Sequence, residues 1–178
     1  MNMTTEEKRQ IADCRIAVAG ATEFIGSVRT ELQQLGFEAI QIISPSDEEP
    51  IINTDVIAEN VNDGSSCLSK DATIPLILPF DFVNGAGAIV VMPEDERDML
   101  RKPNLRQWAA TYMAGYCAFW NIDGYEWLRY SLSDIKNGVT NSTALDTAAH
   151  ICARIAANIA VEREVKHFPR FYLCKNLE

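Results

Sequence analysis

The residues Gly20-Ala-Thr-Glu-Phe-Ile-Gly26 follow a short apolar run and open a helical pattern. That is the context in which backbone amides cradle a phosphate: the first N–H groups of a helix lack intrahelical acceptors, and its dipole favours an anion there. Gly20 permits the tight turn, Ala21 and Thr22 continue the cradle, and Gly26 is expected to permit close packing of helix on strand. The position that would let backbone approach a pyrophosphate is Glu23 instead of glycine. Its charge would oppose a diphosphate by about 1 to 4 kcal/mol, according to how well solvent screens it. The competing reading is that Glu23 complements the helix N-terminus in a domain that no longer binds a nucleotide. A dinucleotide site also needs an acid, or an arginine for a phosphorylated ribose, at the end of the second strand. Ser44 stands at that end, with Asp47 and Glu48 beyond it.

A second candidate cluster is Asp81, Asn84 and the Gly85-Ala-Gly87 turn, which would line a ligand pocket at the strand ends. The alternative is loop chemistry that reverses the chain. His150 and His167 have no histidine or carboxylate at metal-ligand spacing in the sequence, so no metal ligands are assigned. Asp95, Glu96 and Asp98 read as the acidic start of a helix. No P-loop, His-Glu-x-x-His or Gly-x-Ser-x-Gly pattern occurs, which removes the motif-bearing NTPase, zincin and hydrolase readings.

The elements that must position these residues follow from periodicity. Thr5 to Asp13 reads as a short helix with acids near its start, and Arg15 to Ala19 as the first strand. Phe24, Ile25, Val28, Leu32 and Leu35 recur at helical spacing until Gly36 stops them. Phe37 to Ile43 reads as a second strand buried on both faces, closed by the Ser44 to Pro50 breaker. Thr54 to Ala58 is a candidate third strand, and Cys67 to Asp71 a short helix. Ile74 to Leu78 and Ala88 to Met92 are strands separated by Pro79 to Gly87, a length suited to a functional loop or an antiparallel return. From Glu94 the chain reads as helical, interrupted at Pro103, with Trp108, Tyr112, Tyr116, Phe119 and Trp120 as an aromatic stripe: core, or a homodimer seam. Thr143 to Glu164 is an alanine-rich helix expected to be deeply packed on the sheet or on another subunit, and His167 to Cys174 an apolar tail that docks.

The 178 residues suit one α/β domain over 1–178, with a helical part from about 94 packed on the sheet. A net charge of -9 argues against nucleic acid, which would be repelled. No apolar run approaches the roughly 18 residues of a spanning helix, so no membrane partner is expected. The polar Met1 to Arg15 lacks the apolar centre of a secretory signal, and the expected location is the cytoplasm. The five cysteines, odd in number and without a Cys-x-x-Cys pair, read as free, buried thiols.

Two family resemblances rest on these residues. Val18-Ala-Gly-Ala-Thr-Glu-Phe-Ile-Gly-Ser27 resembles the glycine turn of extended and atypical short-chain dehydrogenases, with Glu23 where they carry glycine. That family implies NAD(P) binding and a catalytic Tyr-x-x-x-Lys, which this chain lacks. More of the chain is similar to the ThiF/MoeB/HesA, E1-like adenylyltransferase superfamily. The N-terminal helix, Asp55-Val-Ile57, Ile74-Pro-Leu-Ile77, Gly85-Ala-Gly-Ala-Ile-Val-Val91 and the final alanine-rich helix follow its order. That resemblance implies a Rossmann-like three-layer α/β/α fold with a mixed, mainly parallel sheet, and adenylation of a peptide or sulfur-carrier carboxylate with ATP and magnesium. The region between the second and third strands, where that family keeps its ATP contacts, is short here. The expectation is therefore a reduced or degenerate member: a binding or assembly module, its ATP/Mg or NAD(P) weakly held or lost, partnered by itself or by another protein. The alternative is an NAD(P)-binding oxidoreductase.

Overall fold

A computed structural model describes residues 2–43, 53–66 and 73–176. Ser44 and the segment from Cys67 to Asp71 lie outside the described residues. Helix α1 (Thr5–Asp13) is capped by the Thr4 hydroxyl, which accepts from the Glu7 N–H, and carries Glu6 and Glu7 in its first turn. It leads into β1 (Arg15–Ala19) and then α2 (Thr22–Leu35), which ends at Gly36 in the left-handed conformation that glycine adopts without strain. Strands β2 (Ala39–Ile42) and β3 (Val56–Glu59) pair in parallel on either side of β1, and β4 (Leu76–Asp81) pairs in parallel with β3. Strand β5 (Gly85–Val91) returns antiparallel to β4, and β6 (Tyr172–Lys175) pairs antiparallel with β5 at the edge. The order is β2-β1-β3-β4-β5-β6, a mixed sheet that is mainly parallel.

Helices cover both faces, because alternate residues of each central strand need apolar partners on opposite sides. Ile16, Val18, Val56, Ala58, Ile77 and Val90 pack beneath α2 and α5 (Ser142–Ala160). Ala17, Ile57, Leu76, Leu78, Ile89 and Val91 pack beneath α3 (Leu105–Phe119) and α4 (Glu126–Lys136). Burying each large side chain contributes about 1.5 to 3 kcal/mol. The alanines of α5 (Ala148, Ala149, Ala153, Ala156, Ala157) let its backbone approach the sheet closely, as the small-residue pattern predicts. Helix α5 stops at Ala160, four residues before the expected Glu164. The tail docks: Phe168 N–H donates to the Val90 carbonyl, and the residues after it form β6.

Four expectations are corrected. Strand β2 is a half-exposed edge strand with Ile42 43% exposed, and among the described residues no strand pairs with its far side. Of the two readings of Pro79 to Gly87, the antiparallel return holds and the loop does not, since β4 runs through Pro79 to Asp81 and β5 begins at Gly85. Pro79 is tolerated because Phe82 N–H bonds the Gly85 carbonyl, which by alternation turns the missing donor of Pro79 toward the β3 side, beyond the last paired residues of β3. Asp95 does not begin a helix; a 3-10 turn starts only at Asp98 (Asp98–Arg101). Gly26 does not admit close packing: it is exposed, and a Cβ there would meet nothing within 4 Å.

The glycines that packing does require are Gly85 and Gly87. A Cβ on Gly85 would collide with the Trp127 ring and come within 2.5 Å of the Cys174 carbonyl oxygen, and one on Gly87 would sit 2.5 Å from the Phe82 ring. Gly85→Ala is therefore expected to lower stability by about 1 to 3 kcal/mol through overpacking. Gly26→Ala, an exposed helical position, should raise it by about 0.5 to 1 kcal/mol. Urea unfolding of the two variants checks both signs.

Candidate functional site

The C-terminal ends of the parallel strands gather most of the buried polarity. Of the buried polar or charged side chains among the described residues, Glu59, Asn60, Ser66, Asp81 and Arg106 lie at this end, and Ser131 is on α4. Gly20 turns here with φ +141°, and a Cβ on it would approach Asn60 Cβ to 2.8 Å and the Asn60 carbonyl to 3.0 Å. Its lack of a side chain is what lets the end of β3 close against the turn, where Asn60 N–H donates to the Ala19 carbonyl. Ala21 is the N-cap of α2 and offers no side-chain acceptor, so the first amides of the helix, from Thr22 to Phe24, are left without a capping side chain. Glu23, exposed in that first turn, is the local complement to the helix dipole.

Asp81 is 1% exposed at the end of β4 and makes two backbone contacts: Oδ1 accepts from Val83 N–H (2.8 Å) and Oδ2 from Asn141 N–H (2.7 Å). Arg106, also buried, donates from Nε to the Asp81 carbonyl (2.7 Å) and from a terminal nitrogen to the Val139 carbonyl (2.6 Å), with its charge 3.8 Å from Asp81 Oδ1. Burial holds the Asp81 carboxyl above its ordinary range, opposed by the two N–H donors and the Arg106 charge, while the Glu23 charge pushes it up further. Burial lowers the Arg106 guanidinium, with Asp81 and Asp63 pulling it back. Desolvation leads in both partners, so the pair stabilises less than its burial suggests, although losing either member strands a buried charge.

The structure thus brings Glu23 and Asp81 within electrostatic reach at one end of the sheet. Asn84 and Gly85 find packing partners: Asn84 Nδ2 donates to Ser131 Oγ, the Asn84 carbonyl accepts from Asn176 N–H, and Gly85 lies under Trp127. Asp81, Asn84 and Gly85 therefore serve as hairpin and helix anchors. Between them Val83 has φ +69°, strained for a β-branched residue, and is held by Asp81 and by Asn176 Nδ2 on its carbonyl. Glu59 (accepting from Ser66 Oγ), Asn60 and Arg106 are site residues that the sequence reading missed. Their signal was a polar pair ending an apolar strand and a single arginine on the apolar face of α3.

Features on both sides bear on a nucleoside triphosphate with magnesium. In favour are the uncapped α2 amides and the buried Asn60 Oδ1, which has no hydrogen-bond partner although Nδ2 donates to the Pro79 carbonyl. Against are the exposed acid Glu23 at the turn, the buried carboxyl of Asp81, and the commitment of Arg106 to Asp81 and Val139. A triphosphate would meet negative charge where it needs positive, so these residues do not fit it and no reaction step is derived through it. Among the described residues burial also works against thiolate formation at the buried cysteines: it pushes Cys14 up to about 11 and Cys152 up to about 12, and raises Cys117.

The two histidines acquire carboxylate neighbours through tertiary structure, which corrects the view from sequence spacing. His150 Nδ1 lies 3.1 Å from Glu31 on α2, and His167 Nδ1 lies 2.8 Å from Asp95. No described helix is long and apolar enough to cross a membrane.

Asp81→Asn is expected to destabilise the fold by about 3 kcal/mol, because an amide cannot accept from both Val83 and Asn141 and leaves Arg106 uncompensated. Arg106→Met should cost a similar amount, and the double variant less than the sum, as a double-mutant cycle by urea unfolding will show.

No family model matches the sequence, and no curated protein matches it. Among solved structures the chain is similar to a heterocyclase in complex with substrate and cofactor, at 11% identity and a TM-score of 0.50, over 90% of this chain and 20% of that one. It is also matched to a chain of the E. coli microcin synthetase McbBCD complex, at 12% identity and a TM-score of 0.49, over 98% of this chain and 68% of that one. The chain spans about a fifth of the heterocyclase, and the likeness to it is one of fold.

Proposed function

We propose that this chain is a Rossmann-like, E1-like module that has kept the fold and given up adenylyl transfer, and that it works as a binding or assembly part of a larger protein system. The observation that carries this reading is the charge at the strand ends. Glu23 stands at the α2 N-terminus, Asp81 and Glu59 are buried nearby, and Arg106 is bonded to the Asp81 and Val139 carbonyls. An adenylating site needs positive charge against the phosphates as they separate, and this cluster supplies acid. The fold likeness to one segment of a heterocyclase agrees with a module acting beside other parts. A protein partner follows as the natural target, and the exposed Phe119, Trp120 and Tyr130 supply apolar area of the kind that partners cover.

Isothermal titration with ATP plus magnesium, AMP, NAD and NADP tests the reading. The expected outcome is no saturable heat with any of them, and none with ATP for Glu23→Gly, since Glu59 and Asp81 remain. Saturable ATP binding by the wild-type chain, with pyrophosphate release, would overturn it; a response confined to NAD or NADP would favour a nicotinamide-binding relative instead.

A further inference from the structure

At the opposite end of the sheet, Glu94, Asp95 and His167 each offer a ligand atom, and the three atoms lie within 4.8 Å of one another. Two segments distant in sequence create this cluster. Asp95 sits in the turn after β5, where its Oδ2 accepts from Met92 N–H (2.8 Å), and its side chain is only 9% exposed. His167 belongs to the tail, which Phe168 N–H fastens to the Val90 carbonyl one residue later. His167 Nδ1 lies 2.9 and 2.8 Å from the two Asp95 oxygens. Glu94 is exposed beside this pair.

Three further features favour a cation. A cleft of about 440 Å³ opens onto the cluster, lined by Glu94 and His167 together with Glu162 and Glu164. The 19-residue α5 ends beside it, presenting the negative end of its dipole. The basic residue in the cleft, Arg163, is bonded to Glu7 at 2.7 Å, although Arg170, 3.9 Å from Glu164, offsets part of that acid's charge. Ligand atoms about 2.0 to 2.2 Å from one tetrahedral ion stand about 3.3 to 3.6 Å apart, so the exposed Glu94 side chain must rotate toward the Asp95–His167 pair to complete the set.

We propose that Glu94, Asp95 and His167 form a binding site for a divalent first-row transition-metal ion of the Zn²⁺ type. One imidazole nitrogen with two carboxylates suits such ions better than the all-oxygen preference of Mg²⁺ or Ca²⁺. Three protein ligands leave a position open toward the cleft. The ion would join the turn after β5 to the C-terminal tail, so its binding is also a staple on β6.

Titration of the full chain with Zn²⁺ by calorimetry, and with Co²⁺ by visible absorption, tests the site. One equivalent is expected to bind, with His167→Ala losing at least a hundredfold in affinity and Glu94→Gln about tenfold, while Mg²⁺ in large excess does not compete. His150→Ala, which removes the other histidine, should leave binding unchanged. Because His167 also holds the tail, circular dichroism checks that its variant folds, and the exposed Glu94→Gln decides the matter if it does not. Absence of saturable Zn²⁺ binding in the wild-type chain, or equal binding by Glu94→Gln, would overturn the proposal.

Discussion

Much of this structure hangs on one buried carboxylate. Asp81 joins three things that are far apart in sequence: the β4–β5 turn through Val83, the start of α5 through Asn141, and α3 through Arg106. Asn141 in turn caps α5, its Oδ1 accepting from Thr143 and Ala144 N–H. The same carboxylate therefore fixes where the longest helix begins and how tightly the hairpin turns. A charge in this position is costly by itself, and only the donors around it make it tolerable. That is why Val83 can hold a backbone conformation that a β-branched residue avoids: the surrounding bonds over-determine it.

This constraint bears directly on function. The ends of parallel strands are where open α/β sheets place ligands, and here that space is crossed by a structural network. Arg106 could have faced an anion, yet it is spent on the Asp81 and Val139 carbonyls. Gly20 likewise has a structural duty. Its missing Cβ admits Asn60 and so closes β3 against the turn, a packing role that survives whether or not a nucleotide is ever bound. Fold and chemistry separate readily in this way, because the glycine turn is needed by both.

The first half of the fold was legible because local and tertiary preferences agree there. The acid-led α1, the apolar β1, the heptad-like face of α2 and the Gly36 stop all read correctly from spacing. Strand β4 was misread past Leu78 because proline argues against a central strand, and only the shortness of β3 makes Pro79 harmless. Strand β2 looked doubly buried because an apolar run carries no mark of being at an edge. Gly26 matched a motif position without having the packing that gives the motif its glycine. The site residues Asn60 and Arg106, and the meeting of His167 with Asp95, depend on contacts between distant segments, which no local pattern encodes.

The C-terminal segment explains why the sheet can end as it does. Strand β5 is antiparallel and fully buried, so it needs cover on its outer edge as well as on both faces. Strand β6 supplies that edge, and just before it Phe171 meets Tyr112 and Tyr116 edge to face, with the Tyr112 hydroxyl donating to the Pro169 carbonyl. Gly85 and Gly87 leave room for the Trp127 and Phe82 rings to approach β5. The aromatic stripe of α3 is thus divided by depth. Its first rings pack against Phe168 and Phe171 of the tail, while Phe119 and Trp120 are 77% and 62% exposed, with Trp120 tilted against Tyr116 and edge-on to Phe119. The same helix therefore closes the fold at one end and leaves apolar surface at the other, and it is the uncovered end that has area to offer a partner.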